Sequence, residues 1–356
     1  MQDIDVNGQC RLIETVIKKG ICVNCGACVG ICPYFDYFNG KVINLDRCYS
    51  ETWRCLQLCP RADFDGISID NGPPMEEEGV GTPIGPFKDI FISRSTEKNI
   101  LEKAQYGGVV SSLLIFGLKS GWILSAILTD QGDEFSPAGR IARDESEVLH
   151  CAGSRYTASG SLSALNRAIR ENEEKIGVVG VPCQMEAIAR MGLMTPDGGE
   201  RSERIGIKIG LFCTWALDYR KLKAHLNRLN LGGAIRKYDI PPPPSQVFQI
   251  LTETGWVDLP LDRVRPFIQK GCSLCQDMTA EWADISVGTV EGMEGWNTLV
   301  VRNPLGSRFI MDAINSGIIE IDDIPNPNFE HLKEASLTKK RRGVSAKDKM
   351  RTENNG

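Results

Sequence analysis

The sequence predicts an α/β protein in two parts, a small cysteine-rich module followed by a larger core. Thirteen cysteines are present, and residues 1–60 are dense in them. From about Asp89 onward, β-branched apolar runs alternate with stretches of helical apolar spacing, the signature of an α/β domain. Between these regions lies a Gly- and Pro-rich stretch with the acidic run Glu76, Glu77 and Glu78, which reads as a linker over residues 61–88.

The elements follow in order. A short strand starts at Phe91, Gly108 to Lys119 has helical spacing, and Ile123 to Leu128 reads as a strand. Leu162 to Glu174 is a helix behind the polar segment Ser159–Ser163. Ile176 to Val181 and Ile205 to Phe212 are β-branched runs of the kind buried on both faces of a sheet. Tyr238 to Gln246, with four consecutive prolines, divides the core into halves at 89–240 and 241–342. The second half holds strands at Val247–Thr252, Ile285–Val290 and Leu299–Val301 and a helix near Ser307–Ile314. The basic, polar stretch from Lys339 reads as a frayed tail, with 343–356 as its flexible end.

Composition narrows the class. A hydrophobic content of 42% fits a globular chain with a sizeable core, and a net charge of −5 argues against nucleic acid as a partner. Met1 to Gly20 has no apolar signal region. The most apolar stretch, Val109 to Leu128, is broken by Gly117, Lys119 and Gly121, so no membrane span is expected. The expected location is cytoplasmic, where clustered cysteines bind metal more often than they form disulfides.

Cys22, Cys25, Cys28 and Cys32, followed by Pro33, spell C-x2-C-x2-C-x3-C-P. That spacing lets three thiolates of one loop face a cubane cluster while the fourth points to a second cluster. Gly26 and Ala27 leave room for the backbone to wrap the sulfides. A zinc ribbon would instead pair two CxxC knuckles. Cys55, Cys59 and Pro60 repeat the ending, but Thr52 and Tyr49 stand where two more cysteines would fall, and Cys48 lies nearby. By the crossover rule of ferredoxin-like modules, Cys22, Cys25, Cys28 and Cys59 hold one [4Fe–4S] cluster. Cys32, Cys48 and Cys55 remain as three ligands. Either a [3Fe–4S] cluster sits there, or a fourth ligand comes from Cys10 or a non-cysteine side chain. The plainer alternative is a single cluster with three spare thiols.

Four further cysteines lie in the core. Cys183 and Cys213 follow the strands Ile176–Val181 and Ile205–Phe212, and Cys272 and Cys275 form a CxxC behind Gly271. Neighbouring strand ends converge, so these four can build one cluster, whereas a lone cysteine such as Cys151 is ordinarily a small buried hydrophobe. His150, His225 and His331 have no metal-like spacing, and Trp53, Trp215, Trp282 and Trp296 read as packing residues.

Several segments in fixed order carry a resemblance. They are Tyr106-Gly107-Gly108-Val109-Val110, Gly153-Ser154-Arg155-Tyr156, Gly180-Val181-Pro182-Cys183-Gln184 and Gly210-Leu211-Phe212-Cys213. Cys272-Ser273-Leu274-Cys275 through Ala283-Asp284-Ile285-Ser286-Val287-Gly288 completes the set. Over about residues 88–342 the chain resembles the coenzyme F-420 hydrogenase/dehydrogenase beta-subunit family, many members of which carry an N-terminal ferredoxin module. The resemblance implies a mixed-sheet, FAD-binding α/β core with its own [4Fe–4S] cluster on Cys183, Cys213, Cys272 and Cys275. Two or three clusters are then expected in all. It also implies an oxidoreductase subunit that exchanges electrons with a small hydride carrier and with other redox subunits. The parent complex would be a hydrogenase, formate dehydrogenase or heterodisulfide-reductase-type assembly. Arg155 stands where the family usually has Lys, and either can face a phosphate.

No G-x-G-x-x-G follows a strand, so a Rossmann nicotinamide site has no support. Gly107 and Gly108 open a helix whose N–H groups can accept a pyrophosphate, or else mark a turn needing positive φ. Ser154 and Arg155 would add polar contacts to that phosphate, and Tyr156 would cover a ring. A flavin suits the role because it takes a hydride and releases electrons singly. Two other readings stand beside this one: a flavin-free electron wire and a redox-sensing iron–sulfur module.

Overall fold

The computed structural model describes residues 7–62, 82–130, 137–194, 196–231, 235–241 and 245–355. Most of the linker, with Glu76–Glu78, and Pro242–Pro244 lie outside the described residues.

The N-terminal part opens with α1 (Gly8–Leu12), which continues as a wider π-helical turn at Ile13–Ile17. The hairpin β1 (Phe35–Phe38) and β2 (Lys41–Asn44) follows, then α2 (Arg54–Gln57). The hairpin turns on Asn39 and Gly40, both at positive φ, as a two-residue Asn-Gly turn demands.

The core contains β3 (Asp89–Ser95), α3 (Lys98–Lys103), α4 (Val109–Ser120), β4 (Ser125–Asp130), β5 (Ala138–Ala142), α5 (Glu145–His150) and α6 (Leu162–Arg170). Then come β6 (Ile176–Gly180), α7 (Pro182–Leu193), α8 (Gly198–Glu203), β7 (Ile205–Leu211) and α9 (Tyr219–Arg228). The last third holds β8 (Lys237–Asp239), β9 (Val247–Thr252), β10 (Gly255–Pro260), α10 (Leu261–Val264) and β11 (Ile285–Thr289). It ends with β12 (Asn297–Val301), α11 (Pro304–Asn315), β13 (Ile319–Asp323) and α12 (Asn326–Asn355).

An eight-stranded mixed sheet runs in the order β13-β3-β12-β11-β7-β6-β4-β5. Its centre is parallel (β11, β7, β6 and β4), and antiparallel strands flank it on both sides. The sequence explains the centre. All five residues of β6, Ile-Gly-Val-Val-Gly, are buried, because helices cover both faces of a parallel sheet. One face packs Leu113, Leu114, Phe309 and Ile310 of α4 and α11, and the other packs Leu165, Ile169, Met185 and Ile188 of α6 and α7. Small side chains permit the close approaches. A Cβ on Gly117 would lie 3.1 Å from Ile123, and one on Gly177 2.8 Å from the same residue.

A separate three-stranded sheet, β10-β9-β8, closes over α9 with Phe248 and Ile250 buried among Leu222 and Leu226. One reading from the sequence needs correction. The stretch from Lys339 is no frayed tail but part of α12, a 30-residue helix. It is held because Lys339 is buried and Gly343 packs against Cys275, where a Cβ would meet the Cys275 carbonyl oxygen at 2.7 Å. Among the described residues no helix is long and apolar enough to cross a membrane.

Candidate iron–sulfur and cofactor sites

The loop from Cys22 to Cys28 bends because Asn24 and Gly26 take left-handed backbone conformations. The Asn24 N–H points at Cys22 Sγ (3.4 Å), and Asn24 Oδ1 accepts from the Val42 N–H (3.0 Å), which fixes the loop on the β hairpin. Cys22, Cys25, Cys28 and Cys59 line one apolar cavity with Leu12, Val16, Ile17, Val42, Leu58 and Pro60. Burial pushes all four thiols up, Cys59 to about 12, and for Cys25 and Cys28 neighbouring thiolates add to the rise. Four inward-facing thiols that oppose one another's ionisation favour a bound cation charge, which deprotonates such ligands. The donor set fits a cubane.

Gly26 also serves the contact between module and core. A Cβ there would sit 2.4 Å from the Gly160 carbonyl oxygen, so the residue is small to let the module meet the core.

Cys32, Cys48 and Cys55 form a second neighbourhood. Burial comes first in raising Cys55 to about 12, and the Cys32 and Cys48 charges follow. The Ser50 N–H points at Cys48 Sγ (3.4 Å), and the Cys48 N–H donates to Gln9 Oε1 (2.7 Å). Cys10 lies on α1, whose Gly8 packs against Trp53 beside α2, the helix that carries Cys55.

The third set comes from the carboxyl ends of two parallel strands. Gly180 pairs with Gly210, so Cys183 and Cys213, each three residues further on, leave the sheet at the same level. Pro182 opens α7 with φ already helical, and Gln184 caps it by accepting from the Val181 N–H (2.9 Å). The Gln184 Nε2 donates to the Ser159 carbonyl (3.0 Å) and to Ser161 Oγ (2.8 Å). Gly210 lets the 277–283 loop approach, since its Cβ would fall 2.3 Å from that of Ala280. That approach brings in the turn Lys270–Leu274 with Cys272 and Cys275. The Cys213 thiol, raised to about 12 by burial, feels Cys272 and Cys275, and so does Cys183. The Ala216 N–H points at Cys272 Sγ (3.4 Å).

Among the described residues no three His, Cys, Asp or Glu side chains are arranged to grip a single metal ion. Cluster ligands stand further apart than the ligands of one ion, because iron and sulfide lie between them. The first and third sets are neighbours: the Cys25 charge adds to the rise that burial imposes on the Cys183 thiol. Gly271, beside Cys272, lets the two loops meet, for a Cβ there would strike the carbonyl oxygen of Ile21, beside Cys22, at 2.0 Å.

The five residues read as flavin contacts fall in two segments. Gly108 takes φ +70° at the start of α4, and a Cβ on Gly107 would press on Asn297 Oδ1 (2.8 Å) and the Ser93 carbonyl (2.9 Å). Packing and turn geometry therefore already require both glycines. Ser154 and Arg155 follow Gly153, which is at φ +94°. Arg155 makes only long bonds, to the Ser154 and Ala152 carbonyls (3.4 Å each), and its buried Nε has no partner among the described residues. Burial lowers its pKa, so a neighbouring anion would relieve it. Tyr156 is already engaged: its hydroxyl donates to Asp239 Oδ1 (3.2 Å) and it meets Phe248 edge-on at 5.9 Å.

Both segments converge on β8. The Tyr106 hydroxyl lies 3.5 Å from Asp239 Oδ1, and Gln105 Nε2 lies 3.4 Å from the Tyr238 carbonyl. Sequence reading assigned no role to Tyr106, which it quoted only within a motif, and missed Gln105, Tyr238 and Asp239 here, and Arg61 and Lys339 at the cysteines. Tyr106 had a signal in its place before Gly107-Gly108, and Arg61 in its place directly after Cys59-Pro60. The histidines serve elsewhere: His150 faces Asp130 (3.3 Å), His331 faces Glu291 (2.8 Å) and His225 packs on Phe267. Cys151 is a buried apolar residue beside Val148.

Comparison with known proteins gives one consistent answer. Residues 90–166 match the N-terminal region of the coenzyme F420 hydrogenase/dehydrogenase beta subunit, and residues 173–327 match its C-terminal region. The chain is 35% identical over 266 residues to the coenzyme F420 hydrogenase subunit beta of Methanococcus voltae, covering 72% of this chain and 93% of that one. It is 26% identical to the coenzyme F420-dependent sulfite reductase of Methanocaldococcus jannaschii, over 96% of this chain and 52% of that protein. A chain from the solved F420-reducing [NiFe] hydrogenase complex of Methanosarcina barkeri superposes with TM-score 0.71 at 28% identity, covering 77% of this chain and 95% of that one.

Proposed function

Because the chain belongs to the coenzyme F420 hydrogenase/dehydrogenase beta-subunit family, we propose that it is an oxidoreductase subunit exchanging electrons between a deazaflavin carrier of the F420 type and [4Fe–4S] clusters. It acts with other redox subunits, as the relatives named as subunits do. FAD, when bound, supplies the exchange between a hydride and single electrons. The observation that carries this reading is the seating of the module cysteines beside the core cysteines, with Gly271 against the Ile21 carbonyl and Arg61 bonded to the Pro60 and Gly271 carbonyls. A sensor needs one exposed cluster, whereas adjoining buried sets suit passage of electrons.

Each part of the chain has a task in this reading. Residues 1–60 form the ferredoxin-like module, joined through 61–88 to a core of halves 89–240 and 241–342. Cys22, Cys25, Cys28 and Cys59 hold one cubane, and Cys183, Cys213, Cys272 and Cys275 hold another. Cys32, Cys48 and Cys55 hold a third cluster, [3Fe–4S] or completed by a fourth ligand. Arg155 binds the flavin phosphate beside Ser154, with Gly107 and Gly108 at the opening of α4. Apolar side chains wall the cavity of the first set and lower its polarity.

Anaerobically reconstituted protein is expected to carry roughly eight to twelve irons per chain, to release FAD on denaturation and to show flavin bleaching by reduced F420. Four irons or fewer would leave no room for adjoining clusters. The flavin-free wire remains the second reading, favoured by the finding that packing alone explains Gly107 and Gly108. Clusters without releasable flavin would establish it.

A further inference from the structure

Arg61 lies between the two adjoining cysteine sets. Its side chain is 6% exposed. Its Nη1 donates to the Pro60 carbonyl (2.7 Å), next to Cys59, and its Nε donates to the Gly271 carbonyl (3.0 Å), next to Cys272. One guanidinium thus ties together the backbones that present a thiol from each set. Its charge reaches Cys183, Cys272 and Cys275 on one side and Cys22, Cys25 and Cys59 on the other. The buried Nη2 has no hydrogen-bond partner among the described residues. Glu186 Oε2 lies 3.6 Å from Nη1 as an ion pair, and that carboxylate is shared with Arg190 at 3.3 Å. Two guanidiniums against one carboxylate leave net positive charge between the sets.

We propose that Arg61 is a positioning residue shared by both sites, whose buried positive charge raises the reduction potentials of the two clusters together. This rests on the reading that both sets hold clusters. A reduced cluster carries one more negative charge than an oxidised one. A cation fixed in a poorly screened interior therefore favours the reduced form of each. Because the same cation serves both, the two potentials move in the same direction.

The test uses the full chain, reconstituted anaerobically, with iron counted first and both cluster signals followed by electron paramagnetic resonance during a redox titration. Wild-type protein lacking two cubane signals would overturn the parent reading and this one with it. With both present, Arg61→Met is expected to move both midpoints negative at unchanged iron content. The reduced-to-oxidised ratio at a fixed potential should fall about tenfold, which is 59 mV for a one-electron couple. Arg61→Lys, which keeps the charge, should restore most of the shift. Movement of one signal alone, of neither, or equal loss in the Lys variant would overturn the assignment. Should Arg61→Met lose iron, Glu186→Gln decides: removing that negative charge should move both midpoints positive, and fixed midpoints would sink the proposal.

Discussion

Asn166 holds Ala27. Its side-chain Nδ2 lies 2.7 Å from the Ala27 carbonyl and 2.7 Å from that of Val29, so both amide hydrogens go to one loop of the N-terminal module. Its Oδ1 accepts from Arg201 Nη2 at 2.8 Å, and the residue is buried. Every polar atom of the Asn166 amide is used, and the loop it grips carries Cys25 and Cys28.

Asn166→Leu is therefore expected to weaken the seating of the module. It leaves two carbonyls and a guanidinium short of partners in a dry interface, at about 1–3 kcal/mol for each unpaired group. Urea unfolding should show an earlier transition, and iron should leave the 22–28 loop sooner under chelator. Unchanged stability and iron retention would mean that the module is seated by its apolar contacts alone.

How much of this was legible follows from which forces act locally. The β-branched runs at Ile176–Val181 and Ile205–Phe212 identified the central strands because burial on both faces leaves a continuous apolar signature. Strand ends at Cys183 and Cys213 then followed from position in the chain. The Asn39-Gly40 hairpin left a clear turn signal that the cysteine pattern overshadowed. The docking of module on core left none, since Gly26 against Gly160 and Asn166 against Ala27 are contacts to backbone atoms over 130 residues away. Lys339 looked like part of a solvated basic run, and nothing local distinguishes it from Lys340 or Arg341.

Lys339 supplies the next prediction. It is buried, and its Nζ donates to the Cys213 carbonyl. The neighbouring Lys340 pairs with Glu281, so α12 is fastened across the loop that brings Cys272 and Cys275 to the sheet. Lys339→Met keeps the stem but strands the carbonyl and should lower stability by about 1–3 kcal/mol. Deleting residues 351–356 should do less, since it spares both contacts and the packing of Gly343 on Cys275. Thermal unfolding of the two variants side by side measures the difference. A deletion as harmful as the substitution would place the anchor of α12 further along the helix.

The cysteine sets make separable predictions about iron. Replacing Cys272 and Cys275 with Ser should remove about four irons per chain, one cubane, because hydroxyls are poor iron ligands beside thiolates. The Cys22–Cys28 loop should keep its own cluster, since Asn24 and Gly26 shape that loop without help from the core turn. Iron analysis with resonance spectra distinguishes the cases. Loss of all iron would show instead that the contact of Gly271 with Ile21 makes the two sites form together.

Arg155 offers the sharpest division between a flavoprotein and a wire. It is a half-buried guanidinium with a free Nε among the described residues, and its two remaining contacts are long. Burial penalises its charge more than the Asp130 charge offsets, and among the described residues no carboxylate hydrogen-bonds to it. A bound phosphate would supply short, charge-assisted bonds worth about 1.5–3 kcal/mol. Arg155→Met removes them, so FAD should dissociate roughly 10- to 100-fold more readily, at about 1.4 kcal/mol per tenfold. Arg155→Lys, which keeps the charge, should keep most of the affinity. Iron content should stay at the wild-type level in both variants, because Arg155 approaches Tyr238 and Cys151 rather than any of the three cysteine sets. Flavin fluorescence of the denatured supernatant against total protein gives the occupancy. If wild type and Arg155→Met release equally little flavin while retaining full iron, the chain carries electrons between clusters only. Arg155 is then a strained structural residue whose anion has some other source.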